Sequence, residues 1–218
     1  MDLSGKKIAF LGDSITQGVG VTCVQNTYWM ELGRRTGAQV YGYGIGGTRF
    51  AVQQVPSANP VWDQHFASRV EEMIPNADVV VVFGGTNDFG HGDAAFGCMT
   101  DRTENTFYGA CHFLMQKLIR RYPHAQLVVM TPLHRVSEDD TMYNEFGLRR
   151  QGSLKRYVDA IREVAEFYGV ILVDLFATCQ IQPRVPLMKE MYMPDGIHPN
   201  DAGHQLIADR LHSVLKGL

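Results

Sequence analysis

Two short blocks near opposite ends of the chain carry the residue types that acyl transfer needs. Gly12-Asp13-Ser14-Ile15-Thr16 follows an apolar run, so Ser14 is expected on the turn between a strand's carboxyl end and the next helix, its hydroxyl facing a crevice. Pro194-Asp195-Gly196-Ile197-His198-Pro199-Asn200 stands near the C-terminus. An Asp three residues before a His, with a glycine that permits a sharp bend, can set its carboxylate on imidazole Nδ1 and leave Nε2 for a serine hydroxyl. Alone, each block has an ordinary reading: a serine near a helix start caps it, and Asp-Gly-x-His is a turn with a helix cap. Two further blocks weigh against those readings. Gly42-Tyr43-Gly44-Ile45-Gly46-Gly47-Thr48 and Gly84-Gly85-Thr86-Asn87-Asp88 also follow apolar runs. A glycine N–H that can approach closely and an asparagine side-chain amide are the donors an oxyanion requires, and Gly47 and Asn87 fit those roles.

These blocks are useful only if the fold brings them together. Short apolar runs at residues 7–11, 38–43, 77–83, 126–131 and 170–175 read as five strands. Val79 to Val82 is an unbroken β-branched run, as expected of a central parallel strand covered on both faces. Helix-period segments are expected at residues 27–35, 61–74, 106–121, 153–167 and 201–215, the last opened by Pro199 and Asn200. This alternation predicts an α/β fold: one three-layer αβα domain over residues 1–218, with a five-stranded parallel sheet in the flavodoxin-like order 2-1-3-4-5. In that order the exits of the first three strands are neighbours, at the switch point where such sheets bind ligands. Residues 89–105, 137–152 and 179–194 are longer than ordinary connections and are candidate substrate-contacting loops.

In order, spacing and placement the four blocks resemble those of the GDSL-type, or SGNH, serine hydrolases, over nearly the whole chain. The resemblance implies Ser14 as nucleophile, His198 as general base and Asp195 as the residue orienting it. It also implies an oxyanion hole of Gly47, Asn87 and the Ser14 backbone N–H, and an acyl-Ser14 intermediate. One departure is visible: the glycine block of the family often begins with Asn, where this chain has Gly42. The resemblance fixes the bond class, while the family's substrates range over lipids, thioesters, aryl esters and acetylated sugars. Asp13, Arg49, Phe89 and His134 are candidate substrate contacts, with His91 and Arg135 beside them in sequence. Met188, Met191, Tyr192 and Met193 are read as core filling, or alternatively as an adaptable apolar wall. The expected activity is removal of short, acetyl-like acyl groups from a polar or carbohydrate substrate. The alternatives are a lysophospholipase or acyl thioesterase of the same fold.

Other classes fit less well. Gly42-x-Gly44-x-x-Gly47 spells a dinucleotide fingerprint, but it follows the second strand, and residues 49–60 do not read as a helix. An inactive carbohydrate-binding module would not need Ser14, Asn87, Asp195 and His198 together. Ser14 lies outside a Gly-x-Ser-x-Gly elbow, which excludes the α/β-hydrolase family. The histidines lack metal-ligand spacing, so neither metal nor cofactor is expected. Asp139-Asp140 with Glu138 reads as a solvated loop.

With 218 residues, 45% hydrophobic and 20% charged, the chain is large enough for its own core. A net charge of -3 gives no reason to expect nucleic acid or an anionic membrane, so the expected partner is a small-molecule ester, and a homo-oligomer is compatible. Cys23, Cys98, Cys111 and Cys179 are widely spaced and read as reduced core thiols. No apolar run reaches spanning or signal-peptide length, which gives no membrane span and an expected cytoplasmic location.

Overall fold

Val79–Phe83, the β-branched run, is buried along its whole length and forms the centre of the sheet. The computed structural model describes residues 1–139, 143, 147 and 151–217. In it, β1 (Lys7–Gly12), β2 (Gln39–Gly44), β3 (Val79–Phe83), β4 (Gln126–Met130) and β5 (Ile171–Val173) run parallel in the order β2-β1-β3-β4-β5, as expected. Successive residues of a strand face opposite sides of the sheet. Ile8, Phe10, Val79 and Val81 pack with Tyr28, Leu32, Ile207 and Leu211 on one side. Ala9, Leu11, Val80 and Val82 pack with Phe66, Leu114, Val158 and Ile161 on the other. The helices of the first side are α2 (Tyr28–Thr36) and α8 (Asp201–Lys216), and those of the second are α4 (Phe107–Arg121) and α5 (Leu154–Tyr168).

Register settles which loops meet. Gly12 pairs with Gly44 on one side and Phe83 on the other, so the first three strands end level and release their loops side by side. Short helices start at or near these exits: α1 (Ser14–Gln17) after β1 and α3 (Thr86–His91) after β3. Two more, α6 (Leu175–Thr178) and α7 (Pro186–Tyr192), precede the Asp195 block.

Four expectations are corrected. The continuous helix expected over residues 61–74 is two 3₁₀ segments, Pro60–Asp63 and Phe66–Glu72. Between them Arg49 bridges His65, and Phe66 N–H donates to Arg49 O at 2.8 Å, so pairing with a distant segment interrupts the helix. Of the four cysteines, all free, Cys111 and Cys179 lie in the core, while Cys23 and Cys98 are exposed on loops. Glu138 is not solvated: its carboxylate accepts from His134 Nδ1 at 2.8 Å and Arg135 N–H at 3.2 Å. Asp139 pairs with Arg184 at 2.6 Å, whereas Asp140 and most of the loop at 137–152 lie outside the described residues. Met193 is core, as read, but Met191 is exposed.

Candidate active site

Ser14 is the first residue of α1, whose start is capped by Asp13: its carboxylate accepts from Ile15 N–H at 3.0 Å. The helix lies hard against β2, since a Cβ on Gly44 would come within 2.1 Å of Gln17 N. Only glycine permits that approach, and it fixes where the Ser14 hydroxyl emerges. Asp13, a candidate substrate contact by sequence, is buried beneath the site and serves as this cap. Burial raises its pKa to about 6, against the pull of the Ile15 N–H, His198 and Arg69.

His198 arrives from the opposite end of the chain. Its Nε2 lies 2.9 Å from Ser14 Oγ, and its Nδ1 lies 2.7 Å from Asp195 Oδ2. The other Asp195 oxygen accepts from Ile197 N–H at 2.8 Å and His198 N–H at 2.7 Å. Burial pushes the Asp195 pKa up, but these N–H groups and the imidazole outweigh it and leave it below the usual carboxylate value. An ionised carboxylate only accepts hydrogen bonds, so His198 Nδ1 carries the proton and Nε2 offers its lone pair to Ser14. Thr22 holds the two ends together, donating to Asp201 at the start of α8 from its N–H at 2.9 Å and its hydroxyl at 2.7 Å.

The expected oxyanion donors lie after the second and third strands. Asn87, on α3, gives one amide N–H to Thr48 O at 2.9 Å, which orients the side chain beside the glycine loop. Gly46 N–H is taken by Gln17 Oε1 at 2.7 Å, so of the two neighbouring glycines Gly47 is the one suited to an incoming oxygen. Gly47 has φ +78°, and a Cβ there would fall 2.2 Å from the Trp62 ring. Asp88 locks this loop to α3 by accepting from Phe50 N–H at 3.0 Å and Ala51 N–H at 2.9 Å. The arrangement can take a proton from Ser14, and it can hold a negative oxygen between Gly47, Asn87 and the Ser14 N–H.

A model of the GDSL-like lipase/acylhydrolase family matches residues 10–206, which include all four blocks. The chain belongs to that family. This GDSL-like acylhydrolase is therefore a carboxylic ester hydrolase. It is 27% identical to a GDSL lipase of Mycobacterium tuberculosis over 99% of this chain and 84% of the relative. It is similar to a solved structure from Lactobacillus plantarum, with 29% identity, a TM-score of 0.81 and coverage of 98% of each chain. An acetyl xylan esterase structure is 25% identical, with a TM-score of 0.64 over 95% of this chain and 98% of that one.

The other sequence candidates in the GDSL-like acylhydrolase divide differently. Arg49 is not a cleft cation: it is buried, and its guanidinium donates to Trp62 O at 2.8 Å and Asp63 at 3.0 Å, with His91 Nδ1 at 2.7 Å. Phe89 is 2% exposed and packs edge-on to Tyr157, so it belongs to the core and not to the cleft wall. His134 is half-buried near Ile197, bonded to Glu138 and packed on the Phe176 ring. Sequence reasoning missed Arg69. This buried side chain donates to Tyr43 O at 2.8 Å, Gly12 O at 2.9 Å and Thr48 Oγ at 3.0 Å, tying the exits of β1 and β2 to the oxyanion loop. Its one signal in the sequence is a cation between apolar Phe66 and Val70 in a segment that must face the core. Among the described residues no helix is long and apolar enough to cross a membrane.

Proposed function

We propose that the protein hydrolyses esters through a covalent acyl-Ser14 intermediate, with His198 as base and then acid. The unbroken hydrogen-bond chain from Asp195 through His198 to Ser14, at 2.7 and 2.9 Å, carries this reading. Ser14 Oγ attacks the carbonyl carbon as its proton passes to His198 Nε2, and the developing oxyanion lies between the Ser14 N–H, the Gly47 N–H and the Asn87 amide. Collapse expels the alcohol, which takes the proton from His198. Water, deprotonated by His198, then attacks the acyl-Ser14 carbonyl, and collapse of the second tetrahedral species releases the acid and restores the serine.

The substrate proposed is a short acyl group on a polar or carbohydrate carrier. Similarity to the acetyl xylan esterase supports it. A panel of aryl esters from acetate to palmitate, run beside acetylated oligosaccharides and acyl thioesters, tests the assignment. Highest kcat/KM on short esters or acetylated sugars is expected, and a maximum on palmitate or on thioesters would overturn it.

A further inference from the structure

Beside the oxyanion loop the surface opens into a pocket of about 190 Å³, lined by Val55, Pro56, Ser57, Ala58, Trp62 and His91, with Gln53 at its edge. Its position relative to the reacting atoms follows from contacts. A Cβ on Gly46 would lie 3.6 Å from Ser14 Cβ, and one on Gly47 would touch the Trp62 ring, so Ser14 and Trp62 both border the glycine loop, one residue apart along it. Trp62 and His91 face each other with ring centroids 5.4 Å apart, and His91 ends the helix that begins beside Asn87. The pocket therefore adjoins the loop that carries Gly47 and the helix that begins beside Asn87, and neither Ser14 nor His198 is among the residues that line it.

We propose that this pocket is the acyl subsite of the ester hydrolase, taking an uncharged acyl chain of at most about six to eight carbons. The assignment rests on the acyl-Ser14 reading above. His198 must hand its proton to the leaving oxygen, so the alcohol occupies the His198 side of the carbonyl carbon. With the oxyanion turned to Gly47 and Asn87, the acyl substituent is left to run past the oxyanion loop, where the pocket begins. The size follows by comparison: a cavity of about 150 Å³ holds benzene, so 190 Å³ suits about six to eight carbon atoms.

The chemistry of the wall selects against charge. None of the lining side chains is Asp, Glu, Lys or Arg. Burial and the neighbouring Arg49 and Arg135 lower the His91 pKa to about 4, and because Arg49 can only donate, His91 Nδ1 is an acceptor and the ring is neutral. The wall is also held in place. Gln54 N–H and Val55 N–H both donate to Asp93 at 2.7 Å, and Ser57 N–H donates to Asp63 at 2.9 Å.

The test compares wild type with Ala58→Phe and Val55→Trp, two substitutions at exposed positions that fill the pocket. Hydrolysis of p-nitrophenyl acetate, butyrate, hexanoate and decanoate is measured beside ethyl acetate, after a small serine-directed organophosphate has shown that Ser14 is reactive in each variant. The wild type is expected to peak at butyrate or hexanoate. Each variant is expected to lower the hexanoate-to-acetate ratio of kcat/KM by at least about tenfold. A ratio within about twofold of wild type in both variants would overturn the subsite. So would a change confined to the p-nitrophenyl-to-ethyl ratio, which would give the pocket to the leaving group. Acetate turnover surviving in Ser14→Ala would instead defeat the acyl-Ser14 reading on which the subsite rests, whatever the chain-length ratios.

Discussion

Asn87 separates a working oxyanion hole from a turn that merely resembles one. One of its amide hydrogens is held by Thr48 O at 2.9 Å, and in the proposed mechanism the other donates to the oxyanion. Asn87→Ala should lower kcat by roughly 10²–10³-fold, about 2.7–4 kcal/mol, with a much smaller change in KM, because the donor acts on charge that develops in the transition state. Steady-state kinetics beside a melting curve checks this, and a kcat within about threefold of wild type would remove Asn87 from the site. Legibility at this scale depended on how tightly chemistry restricts residue type. Ser14, Asp195, His198, Asn87 and Gly47 could be named because few residue types suit the proposed chemistry; hydrogen bonds of 2.7 and 2.9 Å join the first three, and Asn87 is bonded to Thr48 O next to Gly47. Arg49, Phe89 and Asp13 were misjudged because a sequence does not show which way a loop side chain turns. Arg49 turns inward to Asp63, and Asp13 turns down to cap α1.

Between elements, the decisive link is Arg69, whose guanidinium spans the exits of β1 and β2 and the glycine loop. A lysine has a single ammonium and cannot meet three acceptors in fixed directions. Arg69→Lys should cost about 3 kcal/mol, since one ammonium cannot reach all three sites and leaves buried acceptors without a donor. That corresponds to a fall in Tm of roughly 6–12 °C for a chain of this size. It should also reduce kcat by displacing Thr48, which orients Asn87. Calorimetry and kinetics on one preparation test both effects, and wild-type values for the two would show that the tie is dispensable. The five strands were legible because β-branched runs such as residues 79–82 have one good use in a parallel sheet. Helices α1, α3, α6 and α7 have only four to seven residues, too few for a 3.6-residue period to register. The break at residues 64–65 comes from pairing with residue 49, which no local pattern encodes.

Over the whole molecule, buried acids and buried histidines oppose one another in pH dependence. Burial raises Asp13 and Asp88 from 3.8 to about 6, and it lowers His91 and His204 from 6.5 to about 4. As pH falls from 6 to 4 the folded protein takes up protons at the two acids before the unfolded chain does, which adds stability. Over 6.5 to 4 the unfolded chain protonates the two histidines first, which removes it. The two effects nearly cancel, so Tm should stay almost level from pH 7 to about 4.5. Below about 4 it should drop as carboxylates held under their usual pKa, among them Asp195, Asp78 and Asp201, lose their charge. A steady decline of Tm from pH 7 to 5 would show that the histidines dominate. The same convergence of distant segments underlies the proposed catalysis, since Ser14 and His198 meet only when the sheet and α8 are assembled. The most direct test of that claim is peptide mapping by mass spectrometry after reaction with a serine-directed phosphonate. The account predicts one stoichiometric adduct, on Ser14, absent from Ser14→Ala and much slower to form in His198→Ala. An adduct on another residue, or full ester turnover by Ser14→Ala, would contradict it.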